Sequence, residues 1–176
     1  MRNIKSLQYI FALFALILGF GLTSKTFAAA TIVIANNDPA GVGFNDTTVV
    51  SPVGGNTGTT LGQQRLNAFN EAARIWGSTL DSNVIITVRA QWTALTCTAT
   101  SAVLGSAGAT TVHANFANAP FQNSWYGGAL ANKINGADLN VTTPEINTNF
   151  NVNLGKTDCL NGSPFYLGFD ENEGTG

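Results

Sequence analysis

The stretch TLGQQRLNAFNEAARIWGSTL, residues 60–80, followed by VIITVRAQW, residues 84–92, decides the fold. In the first segment Leu66, Phe69, Ala73, Trp76 and Leu80 recur at intervals of 3, 4, 3 and 4. That spacing lays an apolar stripe along one face of a helix. Thr60 offers the side-chain oxygen that caps its first turn. Arg65, Asn67, Asn70, Glu71 and Arg74 fall largely off the stripe, with Glu71 and Arg74 spaced as a helix-surface ion pair. Trp76, on the stripe, is expected in the core. Asp81-Ser82-Asn83 ends the segment. In the second, Val84, Ile86, Val88, Ala90 and Trp92 alternate with Ile85, Thr87, Arg89 and Gln91, the period of a strand.

Upstream, Thr31 to Ala35 (TIVIA) reads as a short buried strand, stopped by the breaker cluster Asn36-Asn37-Asp38-Pro39. Strand, helix and strand in this order predict a βαβ unit with its two strands parallel. Between them, Gly41 to Gly62 reads as a long loop with one short strand at Thr47 to Val50. Downstream, residues 93–119 are mostly Ala, Thr, Ser and Gly and carry no charge. They predict turns and short strands lying against the βαβ layer. A short helix is expected near residues 126–134, closed by Gly136. From Glu145 to Leu154 the chain alternates again, with Ile146, Thr148, Phe150, Val152 and Leu154 on one face. Asn147, Asn149, Asn151 and Asn153 line the other, which predicts a strand with one buried and one amide-lined face. The expected class is α+β (or α/β): a mixed sheet with a strand–helix–strand start and one main helix, in a single domain over residues 31–176. No internal repeat of solenoid length is present.

The first thirty residues read as an export leader. Arg2 and Lys5 precede an apolar run from Tyr9 to Leu22, followed by small residues at Thr26-Phe27-Ala28 and Ala28-Ala29-Ala30. The run is shorter than the ~20 residues a membrane span needs. The expected protein is therefore secreted or periplasmic, with no membrane partner once the leader is removed. Beyond residue 30 lie 5 Lys+Arg and 10 Asp+Glu, a net charge of −5. That balance disfavours nucleic acid as a partner. With 44% hydrophobic residues over 176 positions the chain has the material for a packed core. Cys97 and Cys159, an even pair in an exported chain, read as one disulfide.

Chemistry-bearing residues are sparse. His113 is the one imidazole, with no G-x-S-x-G elbow to accompany it, and is expected to be structural. Glu171/Glu173 and Asp38/Asp46 are possible carboxylate pairs. Asp170-x-Asn172 with Gly174, and Asp38 with Asp46 around Gly41-Val42-Gly43, are possible calcium loops, against a plain solvated-loop reading. No glycine loop precedes a lysine in the phosphate-binding manner.

Several strings taken together carry a family resemblance. They are Gly43-Phe44-Asn45-Asp46, the run from Pro52 to Gly62, Trp92 with Cys97-Thr98-Ala99-Thr100, Trp125-Tyr126 with Ala129-Leu130-Ala131, and Phe150-Asn151 with Asp158-Cys159-Leu160. The set resembles the N-terminal region of secreted bacterial zinc metallopeptidases of the metzincin type, often with a protease-associated domain. The resemblance implies zinc and a peptide or protein substrate for the full-length protein. It also implies a zinc helix, H-E-x-x-H-x-x-G-x-x-H or a near relative, following a segment like Phe165 to Gly176. His113 matches no ligand of that motif, so no catalytic or metal-binding residue carries over. This chain is then expected to be an incomplete metzincin-like domain, inactive as it stands, with an exposed apolar sheet face. The resemblance further makes Glu145–Leu154, with Asn147, Asn149, Asn151 and Asn153, the candidate edge strand for a peptide substrate. The alternative from composition is a secreted, non-catalytic adhesion or carbohydrate-binding domain.

Overall fold

The structure, a computed structural model, describes residues 29–172. The leader read from residues 1–30 lies outside them apart from Ala29 and Ala30, as does Glu173 of the carboxylate pair. In chain order the elements are β1 (Ile32–Asn36), α1 (Leu61–Thr79), β2 (Ile86–Thr93), β3 (Gly105–Ala109), β4 (Val112–His113), β5 (Tyr126–Gly127), α2 (Gly128–Asn135) and β6 (Ile146–Asn151). Strands run β1-β2-β6-β3 across one mixed sheet, and β4 and β5 form a small antiparallel pair. The first three are parallel, with Ile32 opposite Ile86 and Val88 opposite Ile146. β3 runs antiparallel to β6, with Ser106 opposite Asn149. The class is α+β, as expected, and the described residues include the parallel strand–helix–strand unit β1-α1-β2.

Helix α1 starts where Thr60 does double duty. Its Oγ1 accepts from the Gln63 N–H at 3.2 Å, and the Gln63 Oε1 accepts from the Thr60 N–H at 3.2 Å, a reciprocal capping box. Helix α2 ends on Gly136 at φ +78°, a left-handed stop that costs glycine little. The Glu71–Arg74 pair forms on the open side of α1, with Arg74 Nε 2.8 Å from Glu71 Oε2.

The register sorts the sheet into two faces. Ile32, Ile34, Ile86, Val88, Ala90, Trp92, Ile146 and Phe150 share one, and Val33, Thr87, Arg89, Gln91, Asn147 and Asn149 share the other. The core sits on the first face. Phe44, Phe69, Trp92, Phe150 and Phe165 meet edge-on or tilted, with centroids 4.9 Å apart for Phe44–Phe69 and Phe69–Phe150 and 5.4 Å for Trp92–Phe165. Leu66 and Phe69 bring the first half of α1 onto this cluster.

Four expectations are corrected. Trp76 is 59% exposed and Leu80 39%, so the second half of the α1 stripe is not core. Periodicity shows which side of a helix turns toward the sheet, not whether anything else covers it. Strand β1 is half-buried, with Val33 exposed on the outer face. The short strand at Thr47 to Val50 reduces to one bridge, Val49 to Thr60. The small-residue segment does not cover the βαβ layer. It contributes β3, exposed at all five positions, as an extension of the sheet.

Two carboxylates continue the β2 ladder where its neighbours stop. At its C-terminal end Asp38 accepts from Trp92 N–H at 2.6 Å and from Phe44 N–H at 2.8 Å. At its start Glu145, almost fully buried, accepts from Thr87 N–H at 2.6 Å and from Asn132 Nδ2 at 3.0 Å. Gly43, at φ +59°, has no room for a Cβ because Asp38 fills it. Replacing Asp38 by Asn leaves one backbone N–H facing an amide donor. Asp38→Asn is therefore expected to lower the unfolding free energy by about 1–3 kcal/mol, read as a lower urea midpoint at an unchanged m-value.

Candidate functional site

The four asparagines of the Glu145–Leu154 segment separate into two pairs. On the outer face Asn147 Oδ1 accepts from Arg89 Nε at 2.7 Å, and Asn149 Oδ1 accepts from Gln91 Nε2 at 2.8 Å. Asn149 Nδ2 donates to Ser106 Oγ at 3.4 Å. Asn37 Nδ2 donates to Gln91 Oε1 at 2.5 Å. This cross-strand row borders a polar recess of about 250 Å³ lined by Asn37, Arg89, Gln91, Asn147 and Asn149. Asn151 and Asn153 do something else. Asn151 is fully buried, donating to the carbonyls of Val103 at 2.8 Å and Leu95 at 3.4 Å. Asn153 Nδ2 also donates to the Leu95 carbonyl, at 3.4 Å. Both stitch the loop after β2 to the end of β6.

That loop is held a second time by the Cys97–Cys159 disulfide, as the cysteine pair predicts. The Leu160 N–H donates to the Thr98 carbonyl at 2.9 Å beside it.

Strand β6 is not an edge strand. β2 lies along one side and β3 along the other, so its main-chain groups are already paired. The edge is held instead by β3. Asn151 N–H donates to the Leu104 carbonyl and Thr110 N–H to the Glu145 carbonyl. Antiparallel pairing alternates, so Ser106 and Gly108 face β6 while the N–H and C=O groups of Gly105, Ala107 and Ala109 point outward. The strand reads Gly-Ser-Ala-Gly-Ala, with none of the charges or prolines that usually blunt an edge. Alternation within residues 146–154 marks a strand but says nothing about its neighbours, and β3, with no hydrophobic alternation, left no comparable signal.

The apolar face is open beside α1. One groove of about 330 Å³ is walled by Phe69, Ala72 and Trp76 of α1 and by Leu80 just past its end, with Ile34, Val88 and Ile146 on its floor and Ala129 of α2 opposite. A second, of about 270 Å³, shares Phe69 and Ala72 and continues to Phe150, Phe165 and Leu167.

The remaining candidates stay apart. His113 Nε2 lies 3.2 Å from Thr111 Oγ1, on the two-residue strand β4. The Asp38 oxygens are taken by backbone N–H groups. Asp46 accepts from Thr48 N–H at 2.9 Å and pairs with Arg65 at 3.2 Å. Burial pushes the Asp46 carboxyl up, but the hydrogen bonds from Thr48 and the charge of Arg65 outweigh it and hold it below the usual carboxylate range. Asp170 accepts from the Tyr166 hydroxyl and from Asn172 Nδ2 at 2.7 Å. Among the described residues no three His, Cys, Asp or Glu side chains converge to hold a metal ion. The zinc that the resemblance implies therefore has no ligand set in them, and the oxygens of both acidic loops are turned toward hydrogen-bond donors. Among the described residues no helix is long and apolar enough to cross a membrane.

Comparison with protein families, with curated proteins and with solved structures finds no match for this chain.

The disulfide closes a sequence separation of 62 residues. Replacing both cysteines by serine is expected to cost about 4 kcal/mol in the chain-entropy account. Calorimetry of the double variant checks this as a fall in Tm.

Proposed function

We propose that this chain is the N-terminal part of an exported, metzincin-like metallopeptidase unit, and that it supplies the peptide-binding sheet rather than the cleaving groups. The observation that carries the reading is the open edge of β3. A strand–helix–strand start followed by an edge strand is the order the resemblance implies, and we assign that edge to Gly105–Ala109, which runs antiparallel to β6.

An extended peptide laid along β3 takes its main-chain hydrogen bonds from Gly105, Ala107 and Ala109. Small side chains at these positions keep neighbouring backbone within reach. The apolar groove beside α1 supports the same reading. It has small residues, Ala68 and Ala72, against which a second helix packs closely, and a further helix of the same unit is the occupant the resemblance suggests. The disulfide supports an extracellular or periplasmic setting.

A second reading, a non-catalytic carbohydrate-binding or adhesion domain, is favoured by one feature, the polar recess bounded by Arg89, Gln91, Asn147 and Asn149. Such planar amides and a guanidinium are suited to the hydroxyls of a sugar.

Two experiments separate these readings. Ala107 uses no main-chain bond to β6, so Ala107→Pro removes an outward donor while leaving the ladder paired. A fluorescein-labelled, β-prone nonapeptide is expected to bind the exported chain saturably and to bind Ala107→Pro about ten-fold more weakly or worse, at a similar Tm. Equal affinity for both proteins would remove β3 as the docking edge. In the gene, an H-E-x-x-H motif in frame after the codon for Gly176 is expected. A frame lacking it, together with binding of an immobilised polysaccharide that Asn149→Ala abolishes, decides for the second reading.

A further inference from the structure

A recess of about 380 Å³ lies at the carboxyl end of the parallel strands β2 and β6, beside the first turns of α1. In open α/β sheets the carboxyl ends of parallel strands are where ligands settle, and three strands of this mixed sheet are parallel. Its walls are apolar, from Trp92, Leu154, Phe165 and Leu167. An ion pair, Arg65 with Asp46, is built into it. Arg65 is 6% exposed, and its guanidinium carbon stands 4.3 Å from the centroid of the Trp92 ring.

The hydrogen bonds of Arg65 are unevenly distributed. Nη1 donates to the Gly43 carbonyl at 3.1 Å and to Asp46 Oδ2 at 3.2 Å. Neither Nε nor Nη2 makes a hydrogen bond to the described residues, and Arg65 lines the recess. A guanidinium offers five N–H donors in a planar fork, so the side left over is the one that grips a carboxylate in a bidentate manner. The indole Nε1 of Trp92 is also buried without an acceptor. Lys156, at the rim, adds a second cation, its Nζ 2.8 Å from Asn153 Oδ1. The nearby carboxylates do not fill this need. Asp46 is committed to Thr48 and Arg65, and Asp38 to Phe44 and Trp92.

We propose that this recess binds a carboxylate carrying an apolar tail, the carboxylate on Nε and Nη2 of Arg65 and the tail against Trp92, Phe165 and Leu154. Such a group is presented by a small aryl or alkyl acid or by the free C-terminus of a peptide ending in an apolar residue. The site is separate from the β3 edge and does not depend on it.

The test uses the disulfide-bonded chain without its leader, titrated calorimetrically with 3-phenylpropionate and with its neutral amide. The acid is expected to bind, the amide about ten-fold more weakly or worse, and added salt to weaken only the acid. Lys156→Ala, on an exposed loop, is expected to weaken the acid several-fold with Tm unchanged. Arg65→Met is expected to abolish acid binding. The acid–amide comparison on unaltered protein stands even if that variant fails to fold. A peptide ending in Phe, with a free or amidated C-terminus, identifies the source. Tighter binding of the free-ended peptide than of phenylpropionate assigns the site to chain termini, and the reverse assigns it to small acids. Equal affinity for acid and amide, or no binding of any of these in the millimolar range, overturns the proposal.

Discussion

The backbone N–H of Trp92 donates to the carboxylate of Asp38, and much of the molecule is arranged around that bond. Parallel pairing of β1 with β2 ends at Asn36 and Ala90, two residues short of Trp92. A bare N–H there, under an indole that is 4% exposed, would be buried without a partner. Asp38 supplies the acceptor and ties the turn at Phe44 to the same spot. Phe44 and Trp92 are thereby brought edge to face, and Phe69, Phe150 and Phe165 close around them. Glu145 plays the matching part at the other end of β2. A sheet this small would otherwise lose its end bonds to fraying.

The same cluster explains why a charged residue is buried on α1. Arg65 lies over the Trp92 ring and between Gly43 and Asp46, so the first turns of the helix are held by polar contacts on an aromatic floor. Burial pushes its guanidinium below the usual arginine value, with Asp46 and Asp38 opposing. Breaking such a pair by removing one partner costs far more than the pair contributes, because the other charge stays buried. Gly62, Gln64 and Arg65 are buried at this end of α1, whereas Trp76 and Leu80 are exposed toward the other. The groove that results reflects one shortage: among the described residues, one long helix cannot cover the apolar face of four strands.

Much of the architecture was legible in the residues. Spacing of Leu66, Phe69 and Ala73 marked α1, Thr60 marked its start, alternation from Ile86 to Trp92 marked β2, and Gly136 marked the end of α2. The cysteine pair marked the disulfide. Legibility was poorer where neighbours matter. Asn147 to Asn153 looked like one wet row, yet Asn151 is buried under carbonyls of another loop. Arg65, off the apolar stripe, looked like a solvent residue and is buried. Trp76 looked like core and is open.

By itself, then, the sequence determined which segments are helical or extended, which side of each is apolar, and that two thiols are joined, because these follow from local periodicity, capping and redox setting. Only the tertiary structure decided that β6 is interior and β3 the edge, that Asp38 and Glu145 serve the ends of one strand, and that Arg65 borders a recess with donors to spare. Strand order and the filling of hydrogen bonds depend on contacts between residues far apart in the chain, and no local pattern encodes which partner arrives.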